Sequence, residues 1–364
     1  CPGKGGVGAW RRRPKAAASM NALPMKVWEY ILRRLLLAVL VIFGVSVVTF
    51  FIARVVPSDP AALWVGPRPS PDQIAAARVK LGLDRPLYIQ YFYYLGNLLR
   101  GDLGVSIKTH QPIVRDLRAY LPATLELVLV GMAMAVFIGI PLGVLSAARR
   151  NRFLDHFSRL VAVAAVSIPT FWLGLLLQLI FFGQLRWLPI GGRVSIETTL
   201  YHPIQTITGF YLIDTLVTRN WPAFRDALAH IILPAFTLAT YAIGLTIRMT
   251  RSTMVEVLQE KYIVAARAAG LSERTILFRL ALKNAIVPTL TVLALSFVYS
   301  LTGAILVEVI FSWPGLGSYV TSAIINVDFP VIIAVTLVVT VFYVLINLVL
   351  DLVQVVLDPR VVLK

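Results

Sequence analysis

Residues 251–288 read RSTMVEVLQEKYIVAARAAGLSERTILFRLALKNAIVP, from Arg251 to Pro288. The segment is rich in charge, yet it lies between two long apolar runs near the C-terminal end. Met254 to Ala269 has helix-forming composition and stops at Gly270, the residue type that most readily turns left-handed past a helix C-terminus. Ser272 can cap a second helix, and Glu273 in its first turn complements the positive end of the helix dipole. The spacing predicts helix, tight Gly-Leu-Ser turn, helix, all held against a membrane by the flanking apolar runs. So placed, the segment is a candidate docking element rather than a catalytic one.

Composition supplies the membrane. Of 364 residues, 58% are hydrophobic and only 14% charged, and the mean hydropathy is +0.79. Soluble domains carry about a quarter charged residues. The apolar excess here falls in runs of about 18 residues or more, long enough to cross a bilayer as helices. The net charge of +16 reads as membrane topology, because Lys and Arg gather in cytoplasmic loops. No basic stripe with interleaved aromatics points to nucleic acid. A single cysteine, Cys1, excludes an internal disulfide framework, and the four histidines show no metal-ligand spacing.

Six spans are expected. Residues 1–24 form an Arg- and Gly-rich extension expected to be disordered, with Met20 and Met25 as candidate translation starts and no cleavable signal peptide. Residues 25–364 form one helical membrane domain. Its first span runs about Ile31 to Ile52. Residues 53–121 then make a polar, turn-rich extracytoplasmic insertion with an aromatic helix around Tyr88 to Tyr94, suited to the membrane interface. Further spans are expected at about Ala123–Ala147, Phe157–Phe182, Leu228–Ile247, Ala285–Ile310 and Val331–Val356. The basic clusters Arg149-Arg150-Asn151-Arg152 and Arg248 to Lys283 mark cytoplasmic loops, which puts both termini inside.

Candidate site residues have two readings each. Ionisable groups in spans are costly and often functional; Glu126, Glu308 and Asp351 all lie near an interface, so they are structural anchors or pathway-lining groups. Pro169 and Pro234 are ordinary helix kinks or bends that open a translocation path. Gly131, Gly139, Gly143, Gly174 and Gly303 read as helix-packing contacts. The chain holds no GxxxxGK[ST], HExxH or GxSxG pattern, so no catalytic, cofactor-binding or metal residue is assigned. Any ATP would have to be bound by another chain. AARAAGLSERTI also has the outline of a DNA-binding helix-turn-helix, but such modules do not normally sit within a few residues of two spans. A secondary transporter working alone is the other alternative, and the lack of an inverted repeat or of buried coupling charges weighs against it.

Ala265-Ala266, Gly270 and Ile286-Val287-Pro288 together resemble the EAA loop of ABC-importer permeases, with Val264 where the general pattern has Glu and a longer gap from glycine to proline. Both departures are usual in the peptide/nickel class, dipeptide-permease B type. GLDRPLYIQY, RGDLGVS, SIPTFWLG, WLPIGG, TGFYLIDTL, IFSWPGLG and the terminal LDPR extend the resemblance over roughly Met25 to Lys364. It implies an inner-membrane subunit of a prokaryote that moves di- or oligopeptides and binds no cofactor itself. Oligosaccharide, glutathione and nickel chelates are the alternative cargoes. The implied partners are a homologous second permease, two ATPase subunits carrying ATP and Mg, an extracytoplasmic solute-binding protein, and membrane lipid. By the same resemblance residues 251–284 are the coupling loop. Glu260, Tyr262, Ala265, Ala266, Ala269, Gly270, Leu271 and Ser272 dock on an ATPase, while Glu308 and Trp313 face the binding protein or an outer gate.

Overall fold

Apolar runs become helices wherever the backbone must satisfy its own hydrogen bonds away from water, and the computed structural model of the chain is built of them. It describes residues 27–55, 60–66, 69–80 and 82–357, and among these there is no strand. Residues 1–26, with Met20 and Met25, the side chain of Asp351 and residues 358–364, with the Asp-Pro-Arg of LDPR, lie outside the described residues. The main helices are α1 (Val27–Val55), α2 (Pro71–Lys80), α3 (Leu87–Leu99), α4 (Ile113–Ala148), α5 (Phe153–Ser167), α6 (Thr170–Gln184), α7 (Trp221–Val257), α8 (Lys261–Ala268), α9 (Glu273–Ile310), α10 (Leu316–Ile325) and α11 (Phe329–Leu357). Helices α1, α4, α7, α9 and α11 are long and apolar enough to cross a membrane; the bent pair α5–α6 makes a sixth crossing if it counts as one span.

Helix α7 is the axis of the bundle. It packs against α4, α5, α6 and α9, and 61% of its apolar window is buried inside the chain, against 11% for α1. Helix α1 therefore has most of its surface uncovered by the rest of the chain, touching mainly α11. Small residues let α4 approach α7 closely: a Cβ at Gly139 would lie 2.8 Å from Thr246, and one at Gly143 would lie 2.6 Å from Thr250. Backbones brought this near gain dispersion contacts that lipid cannot supply. Gly131 and Gly174 also face neighbours, Ala235 and Phe311, but Gly303 has nothing within 4 Å of its would-be Cβ. Among the described residues no helix packs on Gly303, so its expected packing role within the chain is corrected.

Three element boundaries differ from expectation. The third span is broken: Ile168 and Pro169 are extended (φ −76, ψ 126 and φ −60, ψ 128), and α5 and α6 meet at 107°. Proline lacks a donor and disfavours helical geometry at the residue before it. Pro122, Pro234 and Pro288 lie inside helices that run on past them, so it is the surroundings that decide whether the break is taken. Helix α4 starts at Ile113, ten residues before the apolar run, because Ile113 and Leu117 are buried against α10 and α11. Helix α7 continues to Val257, so Met254 to Val257 belong to it and not to the short docking helix. There Thr253 donates to the Ala285 carbonyl of α9 at 2.9 Å and Met254 is fully buried. At 38 residues, α9 is ~57 Å long by its rise per residue, well beyond a hydrocarbon core of ~30 Å. Both helices must project past the membrane on the side where α8 joins them.

Candidate functional site

The segment that links α7 to α9 is held as a unit. Helix α8 turns Ile263, fully buried, and Ala266 onto the core formed by Met254, Ile276 and Leu277. Lys261, Val264, Ala265 and Ala268 recur at helical spacing on the opposite face and are exposed. Val264 is 58% exposed, and Leu271 and Tyr262 just beside it are 46% and 42% exposed. The helix ends in a complete Schellman turn: the Leu271 N–H bonds the Ala266 carbonyl at 3.2 Å and the Gly270 N–H bonds the Arg267 carbonyl at 3.0 Å. That geometry needs a left-handed residue after the cap, and Gly270 has φ +80. The Ser272 hydroxyl then accepts the Thr275 N–H at 3.4 Å to start α9. Arg267 grips Glu273 across the turn through both its Nε (2.8 Å) and Nη2 (3.3 Å), and Asn284 donates to the Tyr262 hydroxyl at 2.8 Å.

Behind this segment, three helix ends are tied by one carboxylate. Asp155 of α5, fully buried, accepts from Ser146 of α4 (2.8 Å), from the Asn151 backbone (2.9 Å) and from Arg251 of α7 (2.9 Å through Nη2). A force on the α7–α9 linker therefore reaches α4 and α5 through bonded groups.

A second cluster lies at the far ends of the same helices. Glu308 of α9 is fully buried and accepts from the Thr124 hydroxyl (2.5 Å) and the Ser318 N–H (3.0 Å). Thr124 in turn accepts the Leu316 N–H at 2.7 Å. The Trp313 indole, 1% exposed, donates to the Ala123 carbonyl at 2.9 Å. An added Cβ at Gly315 or Gly317 would collide with the Glu308 carboxylate, so these glycines make its room. Alongside, Glu126 pairs with Arg193 at 2.5 Å, both side chains buried. Arg193 also donates to the Gly209 carbonyl (2.8 Å) and lies 3.5 Å from the Tyr211 ring centroid. Glu126 receives the Leu212 N–H at 2.7 Å. Asp214 collects the N–H groups of Ile207, Thr208 and Gly209 and the Thr208 hydroxyl. Burial pushes the Asp214 carboxyl up, but those four donors outweigh it and hold the group below the ordinary range.

The tentative path residues are thus not gathered at one place. Glu308 and Trp313 share a buried network; Pro169 is exposed at the α5–α6 elbow and Pro234 is buried within α7. Sequence reasoning passed over Thr124, Arg193, Tyr211 and Asp214. Its available signal was the stretches WLPIGG and TGFYLIDTL, which this network joins to IFSWPGLG. Among the described residues no group of His, Cys, Asp or Glu could hold a metal ion.

Comparison with known proteins agrees over most of the chain. A family profile described as the inner membrane component of binding-protein-dependent transport systems matches residues 139–363, and one for the N-terminal part of such components matches residues 27–128. A probable D,D-dipeptide transport system permease protein of Escherichia coli K12 is 45% identical over 337 residues, covering 93% of this chain and 98% of that protein. A dipeptide transport system permease protein of Alkalihalophilus pseudofirmus is 42% identical over 91% of this chain and 98% of its own length. An oligopeptide transport system permease protein of Bacillus subtilis is 36% identical, with the same coverage. With a multi-span helical bundle and a buried polar network built from the very stretches that carried the resemblance, this chain belongs to the inner-membrane components of binding-protein-dependent transport systems.

Proposed function

We propose that the chain is a transmembrane subunit through which an ABC importer moves di- or oligopeptides, powered by ATP hydrolysis on separate subunits. The peptide assignment is supported by relatives named as dipeptide or oligopeptide permeases across nearly their full length. In this reading the α5–α6 pair is one span, giving six, and residues 53–121 lie outside. The linker 251–284 and both termini lie in the cytoplasm. One ATPase subunit receives Glu260 to Ser272; a homologous second permease, a second ATPase and an extracytoplasmic solute-binding protein complete the machine. Glu308 and Trp313 serve the face toward that binding protein or an outer gate, and their burial favours the gate.

One observation carries the docking role. Helix α8 presents an exposed apolar face while its other face, its Schellman turn and its bonds to Glu273 and Asn284 fix it to α7 and α9. An exposed, rigidly mounted helix is what a mechanical coupler requires: a partner that shifts it biases a two-state bundle. A loose loop would absorb the same displacement.

The test is ATPase activity of the chain co-purified with its partners in liposomes, with binding protein loaded with peptide, oligosaccharide or nickel chelate. Stimulation by peptide alone is expected. Stimulation by another cargo replaces the peptide assignment, and solute movement by the chain without any ATPase replaces the importer by a secondary transporter.

A further inference from the structure

A cavity of about 590 Å³ opens between the first span and the helices that follow it, within the range of small-molecule sites. Its apolar wall is Phe50, near the end of the α1 membrane window Leu32–Ile52, with Pro330 and Ile333 at the start of the α11 window Phe329–Val349. Two spans thus meet it at their boundary with water, on the face opposite α8. Aromatic rings of Trp64, Tyr93 and Tyr94 line the rest, the residue class that collects at that depth.

The polar fittings are specific. Lys80 and Arg85 are exposed at its rim, over the Trp64 ring (5.8 Å) and the Tyr93 ring (4.7 Å), and neither is ion-paired among the described residues. The one acid in the lining, Asp102, is engaged in accepting the Gly104 N–H at 2.9 Å. Two of the residues that line the cavity carry a buried polar atom with no partner among the described residues: the Tyr94 hydroxyl and the Gln90 Oε1. The Gln90 amide cannot turn round to satisfy itself, since its Nε2 already donates to the Leu83 and Arg85 carbonyls (3.4 and 2.7 Å). The site thus offers two cations and a hydroxyl donor for an anion, and an acceptor for a ligand hydroxyl, beside an apolar wall inside the bilayer.

We propose that this cavity binds an anionic phospholipid with a hydroxyl-bearing headgroup, of which phosphatidylglycerol is the simplest. Lys80, Arg85 and the Tyr94 hydroxyl take the phosphate, Gln90 takes a glycerol hydroxyl, and the acyl chains run down Phe50 and Ile333. The assignment rests on the spans and not on the cargo, so it stands or falls apart from peptide import. The lipid would add to the contacts that α1 makes with α11 and, through Ser46 and Phe50, with α3.

The test is native mass spectrometry of the full chain released from nanodiscs of phosphatidylcholine with a minority of phosphatidylglycerol. Wild type is expected to retain phosphatidylglycerol selectively. The double variant K80E/R85E, at two exposed positions that leave the core untouched, should retain at least about thirty-fold less, the loss expected from removing the two cations alone. Lys80→Arg should retain it as wild type does, and Tyr94→Phe, which removes a hydroxyl without a partner among the described residues, should retain less. Equal retention of the two lipids, or undiminished retention by K80E/R85E, would overturn the proposal. So would release of the lipid by inorganic phosphate or a short peptide, which would make this a site for a soluble anion.

Discussion

At Gly315 the chain passes so close to the Glu308 carboxylate that a methyl group has no room, whereas Gly303, about one and a half turns before Glu308 in α9, faces open space. The two glycines predict opposite outcomes. Gly315→Ala should destabilise the detergent-solubilised chain by about 1–3 kcal/mol through overpacking, and Gly303→Ala should leave it unchanged or gain up to about 1 kcal/mol of helix propensity. Thermal unfolding of both variants checks this, and equal effects would show that Gly315 is not confined. Arg193 makes a sharper case. Arg193→Met leaves Glu126 buried without its partner, which costs about 3–5 kcal/mol. Adding Glu126→Gln removes the uncompensated charge, so the double variant should be more stable than Arg193→Met alone. A double variant less stable than the single would show that lost packing, not the stranded carboxylate, sets the cost.

The turn after α8 and the knot around Asp214 act as elements. Gly270→Val forces a β-branched residue into left-handed geometry, at about 1–2 kcal/mol for the backbone alone. The subunit should still insert, because the turn carries no buried core, but ATP hydrolysis should uncouple from transport in liposomes. Gly270→Asn should be milder, since Asn tolerates that conformation. Normal transport by Gly270→Val would remove the rigid-linker argument. The loop around Asp214 gives a pH dependence. Asp214 has its folded-state pKa lowered, so its contribution is full above the ordinary Asp value of about 3.9. It is lost only as pH falls through the depressed one. Hydrogen exchange of the Ile207, Thr208 and Gly209 amides should show protection at neutral pH that persists into mildly acidic solution and fails below the ordinary carboxylate range. Loss of protection near neutral pH would contradict this sign.

Across the whole molecule, the two polar clusters sit at opposite ends of one bundle whose axis is α7. Asp155 and Arg251 bind helix ends beside the linker, and Glu308, Thr124, Glu126 and Arg193 bind them at the far side. Topology follows from labelling. In a Cys1→Ser background, Val264→Cys should react with a membrane-impermeant maleimide only from the cytoplasmic side, and lose reactivity when the ATPase subunits are co-assembled. Ile207→Cys, 62% exposed in wild type, should react only from outside. Reaction of Val264→Cys from outside would invert the proposed topology, and undiminished reactivity in the assembled complex would move the docking surface elsewhere.

Composition and hydropathy alone determined that this is a helical membrane protein, because a bilayer interior forces backbone groups to pair within each span and so writes length and apolarity into the sequence. The Gly270 turn and the Ser272 cap were legible for a similar reason: each depends on one residue and its nearest neighbours along the chain. What only the tertiary structure decided is where a helix stops and which polar groups meet. The continuation of α7 to Val257 and the early start of α4 are set by packing on α9, α10 and α11, which no local pattern carries. Pro169 breaks its span while Pro234 does not, though both are prolines in apolar surroundings. Glu308, Thr124, Arg193 and Glu126 are far apart in sequence, and the pairing that turns isolated charges into a closed network exists only after the helices have packed.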